Sequence, residues 1–192
     1  MYLNQIVLIA ATILNLNNVV KYIENKTVSG KALEEVDKLT RLTNLVISEL
    51  AVMEIYIIRS QARSVSNGMI VYTALRARPI KILNVYDDEG NEYEFTAYPE
   101  YIKTDNRVTN ITYAYACNEG LDEKITFSDY RITPDLIALG VAAEYLLTLN
   151  DFEGAIKWHE KFTEGLCALK TPKAVEQTSE PKNVTIKERS FI

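Results

Sequence analysis

Ile80-Lys81-Ile82-Leu83-Asn84-Val85-Tyr86-Asp87-Asp88-Glu89-Gly90-Asn91-Glu92-Tyr93-Glu94-Phe95-Thr96-Ala97-Tyr98 decides the fold class. β-Branched and aromatic residues crowd both halves of this stretch, as a pleated, half-buried surface favours. Between them Asp88-Glu89-Gly90-Asn91 supplies a glycine free to take positive φ, so the two halves are expected to pair as an antiparallel hairpin. The same texture begins at Met69-Ile70-Val71-Tyr72 and returns over 108–115. Residues 67–117 therefore read as an antiparallel β region set between helical stretches.

Upstream, Leu3, Ile6, Val7, Ala10, Ile13, Leu14 and Val20 recur at three-and-four spacing and predict a helix over 3–24. Asn25 to Gly30 interrupts it, and Ser29 is placed to cap a second helix. Leu33, Val36, Leu39, Leu42, Val46, Leu50, Met53 and Ile57 carry that helix over 30–63. Downstream, Thr133-Pro134-Asp135 is a helix start: a capping hydroxyl, a proline whose missing N–H costs nothing there, and an acid at the positive end of the dipole. A helix over 133–149 follows, with Gly140, Ala142 and Ala143 making a small-residue face suited to close helix packing. Asn150 and Asp151 reopen the chain, and Phe152, Ala155, Ile156, His159, Phe162, Leu166 and Leu169 predict a last helix over 151–170, antiparallel to its predecessor.

Beyond it, Pro172, Lys173, Glu176, Gln177, Ser179, Glu180, Pro181 and Lys182 are too polar for a core. Val184, Ile186, Phe191 and Ile192 then turn apolar, a pattern suited to an added edge strand or a hook into a neighbour's groove. The expectation is an α+β chain. About four helices form a bundle over 1–170 with an inserted β region, and 171–192 is an extended C-terminal arm with those four apolar residues as its partner-binding tip.

Composition bounds the function. A chain of 192 residues with 47% hydrophobic and 24% charged residues is ordinary for a globular domain. Cys117 and Cys167 are too few for a disulfide framework and are expected as buried thiols. The longest apolar run is too short to span a bilayer, and no basic segment precedes it as in a signal peptide. A net charge of −5 opposes tight nucleic-acid binding through phosphate neutralisation. It suits loose passage of DNA, and Asp87, Asp88, Glu89, Glu92 and Glu94 are candidates to face a DNA path or solvent.

Catalytic signatures are missing. No glycine-rich phosphate loop, nucleophile elbow or His-Glu-x-x-His helix occurs, and His159 with two scattered cysteines does not make a zinc set. The expectation is a protein without catalysis, metal or cofactor. Glu49, Glu54 and Glu144 read as solvated or paired carboxylates at a bundle boundary. Tyr72, Tyr86, Tyr93, Tyr98, Tyr101, Tyr113 and Tyr115 crowd the β region; both strand propensity and a protein-contacting surface explain them, and the choice stays open.

Two features carry a family resemblance. Thr133-Pro134-Asp135-Leu136-Ile137-Ala138-Leu139-Gly140-Val141-Ala142-Ala143-Glu144-Tyr145 and the later Asn150-Asp151-Phe152-Glu153-Gly154-Ala155-Ile156-Lys157-Trp158 follow two N-terminal helices and a β insertion and precede an arm. This order resembles phage head-to-tail adaptors of the tail tubular protein A type and related connectors. The resemblance implies a virion structural protein at the head–tail junction, made in the cytoplasm of a bacterial host. Twelve subunits would form a ring under the portal protein and bridge it to the tail, with DNA passing through the hole and the arm gripping the portal. Residues 143–162 are also similar to one tetratricopeptide helix pair, which implies instead a cytosolic protein-binding module without catalysis. One copy cannot stack as such repeats do.

Overall fold

In the computed structural model, which describes residues 1–25 and 30–170, Leu3–Ile13 forms helix α1 and Asn17–Asn25 helix α2. The single helix expected over 3–24 is broken because Asn15 takes φ 55°. Asparagine tolerates this left-handed conformation better than most residues, and the Leu16 N–H closes the bend by donating to the Ala11 carbonyl at 2.8 Å. α1 is sunk in the core through Leu3, Ile6, Val7, Ala10 and Ala11, whereas α2 buries Val19 alone. The cap assigned to Ser29 lies outside the described residues.

Gly30–Val52 is α3, which buries Val36, Leu39, Val46, Ile47 and Leu50 along one face. Its end corrects the expected helix over 30–63. Glu54 turns the chain at φ 63°, and Ile57–Ala62 is a strand, β1. Ile57 fits the helical spacing from Leu50 and Met53, but Ile55-Tyr56-Ile57-Ile58 is a β-branched and aromatic cluster that gains more as a pleated surface than as a fourth helical stripe.

The remaining strands are β2 (Met69–Val71), β3 (Pro79–Tyr86), β4 (Phe95–Ala97), β5 (Tyr101–Thr104) and β6 (Asn110–Tyr115). They form two antiparallel three-stranded sheets, ordered β1-β6-β3 and β2-β5-β4. The expected hairpin is thereby corrected. The turn exists, joined by the Tyr86–Glu92 bridge and by Tyr93 N–H donating to the Val85 carbonyl at 3.0 Å. Beyond it the strands part: β3 pairs with β6 and β4 with β5. β6 is central, runs from Ile57↔Tyr115 to Ala62↔Asn110 against β1, and buries Ile111, Tyr113, Ala114 and Tyr115.

Residues 116–132 tie the β layers to the helices. Met1 and Ile125 exchange backbone hydrogen bonds of 3.1 and 3.0 Å, and Leu3 N–H donates to the Glu123 carbonyl at 3.1 Å. On the other side Ile58 N–H donates to Thr126 at 2.7 Å and Ser128 N–H to Tyr56 at 2.8 Å. Asn44 of α3 completes the joint. Its amide donates to the Glu119 carbonyl at 3.1 Å, and its oxygen accepts from Glu119 N–H at 3.2 Å and from Cys117 Sγ at 2.8 Å. The Glu119 carboxylate receives the Arg59 guanidinium at 2.8 Å, and the same guanidinium lies 4.4 Å over the Tyr115 ring.

Pro134–Thr148 is α4 and Phe152–Lys170 is α5. Thr133 caps α4 by accepting from Leu136 N–H at 3.3 Å; Asp151 caps α5 by accepting from Gly154 N–H at 3.0 Å. α4 packs on α1, α3 and α5 and is the axis of the helical layer. Tyr145 crosses from it to α3, donating to the Glu35 carboxylate at 2.8 Å beneath the Lys38 ammonium, 4.4 Å from the ring.

The Arg59–Glu119 pair is largely shielded, with side chains 14% and 11% exposed, whereas Arg76–Glu123 makes the same 2.8 Å contact at 59% and 39%. Removing one partner of a shielded pair strands a charge, while an exposed pair contributes little. Glu119→Ala is therefore expected to lower stability by about 3 kcal/mol, and Glu123→Ala by under about 1 kcal/mol. Urea unfolding of the two variants checks this, and equal losses would show that the joint does not depend on Glu119.

Candidate functional site

The acidic turn is built around one carboxylate. Asp87 Oδ1 accepts from the backbone N–H groups of Glu89 and Asn91, each at 2.9 Å. Its Oδ2 accepts from the Asn91 amide at 3.0 Å and from the Tyr93 hydroxyl at 2.9 Å. These donors, the Asn91 side chain foremost, hold the Asp87 carboxyl at about 2, below its ordinary 3.8. Gly90 sits at φ 85°, where only glycine is relaxed.

The neighbouring acids are also engaged. Asp88 accepts from the Thr109 hydroxyl at 2.7 Å and more weakly from Asn110 at 3.4 Å, pinning the turn to the start of β6. Glu92 accepts from the Asn84 amide on β3. Tyr93 lies 4.9 Å beneath the Arg107 guanidinium, which forks onto Asp105 at 3.0 and 3.1 Å. Among the described residues the Glu89 carboxylate accepts only from the Asn91 amide, at 3.4 Å, and no partner is found for the Glu94 carboxylate. Of the five acids expected to face a DNA path or solvent, Asp88, Glu89, Glu92 and Glu94 are exposed and Asp87 is half-buried, with Glu89 and Glu94 the least engaged by hydrogen bonds.

Gly140, Ala142 and Ala143 lie inside the subunit. All three are buried, and a Cβ on Gly140 would stand 3.0 Å from Val46 of α3 and 3.2 Å from Phe162 of α5. The small residues bring three helices together within one chain and offer nothing to a neighbour. The tyrosines divide: Tyr113 and Tyr115 are core, while Tyr98 and Tyr101 stack at 4.7 Å with Tyr98 exposed. The arm residues Val184, Ile186, Phe191 and Ile192 lie outside the described residues.

Among the described residues the groups weighed for chemistry do not gather into a metal-binding set, although Glu49, Glu144 and His159 lie near enough to perturb the Glu49 carboxyl. Cys117 is buried and its thiol is pushed up to about 12, chiefly by desolvation. Cys167, expected to be buried, is exposed, one step around α5 from buried Leu166. His159 is exposed on α5. Glu49 is raised by desolvation and by Glu144, with His159 opposing both. Asp129 and Arg131 form a local pair at 2.7 Å that leaves Tyr130 fully outward. Among the described residues no three His, Cys, Asp or Glu side chains are grouped to hold a metal, and no helix is long and apolar enough to cross a membrane.

One surface was missed by periodicity. Leu147, Leu149, Phe152 and Ile156 are all exposed at the turn from α4 into α5, with Phe152 at 62% and Ile156 at 58%. Phe152 and Ile156 are spaced like core positions, so sequence assigns them inward. With α4 already covering one side of α5 through Ala155, Phe162 and Leu166, these two are left on another face. Clustered exposed apolar residues of this kind mark contact surfaces.

No protein-family model matches the sequence, and no curated protein matches it.

Two expectations follow. Because the folded Asp87 carboxyl is lowered, its support for the turn is complete above its ordinary value of 3.8 and is lost as pH falls through about 2. At neutral pH, Asp87→Ala is expected to speed amide exchange at Glu89 and Asn91 by about tenfold, read by NMR, with the core amides unchanged. Separately, Ala142→Leu or Ala143→Leu is expected to destabilise by about 1 to 3 kcal/mol through overpacking. Thermal melting of either variant at the parental temperature would mean that these positions have room.

Proposed function

We propose that this chain is a virion structural protein, a head-to-tail adaptor subunit that assembles with copies of itself into a ring between portal and tail. The observation that supports the reading is the exposed apolar residues Leu147, Leu149, Phe152 and Ile156 around the turn from α4 into α5, a surface suited to contact with another protein. The element order adds support: helices, a β insertion, a proline-started helix and a final helix leading into an arm, as in the adaptors the sequence resembles. Twelve copies, with the portal protein and tail proteins as neighbours, are what that resemblance implies. The protein would be made in the bacterial cytoplasm and act by assembly, with no reaction to catalyse and no cofactor.

In this reading α4 and α5 pack side by side around the ring, and the acidic turn faces either the DNA path or solvent. A chain of net charge −5 gives duplex DNA little to hold. Because Asp87, Asp88 and Glu92 are structural, the free acids Glu89 and Glu94 are where the repulsion is tuned. The double variant Glu89→Lys, Glu94→Lys is expected to keep the fold and to retain duplex DNA in a salt-sensitive way, since screening extends about 10 Å at 0.1 M salt. Tight binding of duplex by the parent protein at physiological salt would contradict low-friction passage.

The decisive measurement is electron microscopy of the purified protein, alone and with candidate portal proteins, together with its mass in solution. Closed rings that cap a portal support the adaptor. A chain that stays monomeric at every concentration and beside every portal overturns it and favours a helical binding module.

A further inference from the structure

β3 and β4 leave the turn at 87–91 like the arms of an open fork, because each is claimed by a different sheet. Both are edge strands. Apart from the Tyr86–Glu92 bridge no strand pairing joins them, so the outer edge of each faces the gap without a strand partner among the described residues. The gap is a cleft of about 570 Å3. Ile80 and Ile82 line it from β3, Phe95 from β4, and Tyr98 from just beyond β4. Ile80 is 53% exposed and Tyr98 40%, so the cleft is open, with apolar side chains on both walls and the cations Arg78 and Lys81 on the β3 side.

An unpaired edge beside apolar walls recruits an extended segment: backbone groups supply the hydrogen bonds, and alternate side chains fill the cleft. Residues 171–192 carry such a segment. Val184 and Ile186 alternate with Thr185 and Lys187, so one face is apolar and the other polar, the period a strand requires. The polar stretch 171–183 extends at most about 45 Å. That length sets the upper limit on how far the segment lies from the end of α5.

We propose that the cleft between β3 and β4 receives residues 184–187 of a neighbouring copy as an added strand. The occupant is a segment of this same sequence. That it comes from a neighbouring copy rests on the ring reading above; that it fits this cleft rests on the free edges and the apolar walls. The exchange would link successive subunits without using the apolar end of the α4–α5 hairpin, which stays available for a different contact.

The test uses full-length protein in a Cys167→Ser background, so that the exposed native thiol takes no part. One pool carries Ile80→Cys and a second, with a different tag, carries Ile186→Cys; the two are mixed, oxidised mildly and separated on a non-reducing gel. A mixed-tag disulfide dimer is expected at about tenfold or more above a control pairing Leu149→Cys with Ile186→Cys. Tyr98→Cys on the opposite wall is run in parallel, so a folding defect at either wall does not decide the result. A third pool carries Ile80→Cys and Ile186→Cys in one chain; crosslinks confined to that chain would overturn the exchange, and no crosslink above the control at either wall would overturn the occupant. Light scattering on the same samples separates the two readings. Ring-sized particles without the crosslink sink strand addition and leave the adaptor standing, whereas crosslinked pairs that never grow beyond dimers sink the ring and leave the strand site standing.

Discussion

The contact on which the two halves of the molecule depend is the Asn44–Glu119–Arg59 joint. The strong regular interactions lie within layers: helix on helix around α4, and strand on strand around β6. Between the layers runs residues 116–132, which has no helix or sheet of its own to satisfy its backbone. Asn44 resolves this as a backbone mimic. Its amide donates to the carbonyl and accepts from the N–H of a single residue, Glu119, as a neighbouring strand would. Arg59 then fixes the side chain of that residue to β1, and Tyr115 covers the guanidinium. One irregular residue is thus held by α3 through its main chain and by β1 through its carboxylate. The price of burying this much charge is offset by the hydrogen bonds that surround it.

Much of the helical layer was legible in sequence because it is governed by local rules. Thr133-Pro134-Asp135 carries cap, first-turn proline and dipole charge together, and α4 begins at Pro134. The errors came where two periodicities coincide. Ile57 follows Leu50 and Met53 at helical spacing, yet it also begins the alternation of β1, and the β-branched cluster around it decides the matter only once β6 is present as a partner. The break at Asn15 was hidden in the same way. Asparagine is permitted in a helix, and only the left-handed backbone at that residue reveals that α1 and α2 take different directions.

The candidate surfaces were legible by composition and misread by role. Small residues at Gly140, Ala142 and Ala143 announce close approach, but sequence does not say whether the approaching helix belongs to the same chain; Val46 and Phe162 answer that it does. Phe152 and Ile156 show the converse. Their spacing says core, yet α4 occupies only one side of α5, and an amphipathic pattern contains more apolar positions than a two-helix contact can cover. An interface between copies and an interface within a chain write the same pattern into a helix, so periodicity alone does not separate them.

The turn at 87–91 shows how structure changes the meaning of charge. An ordinary hairpin turn is supported by the ladder beneath it, but here β3 and β4 diverge almost at once, so that support ends with the Tyr86–Glu92 bridge and the Tyr93–Val85 hydrogen bond. The turn must therefore carry its own hydrogen bonds. Asp87 gathers four donors, Asp88 reaches to Thr109, and Glu92 holds Asn84 across the base. Each acid recruited in this way keeps its charge but has its orientation fixed by the donors it accepts from. The acids of the turn thus serve the fold and the outward field together, and Glu89 and Glu94 are the ones whose replacement disturbs the turn least. The same self-sufficiency is what lets the two strands separate. A turn that needed the ladder would close β3 onto β4, and the cleft with its two free edges would not exist.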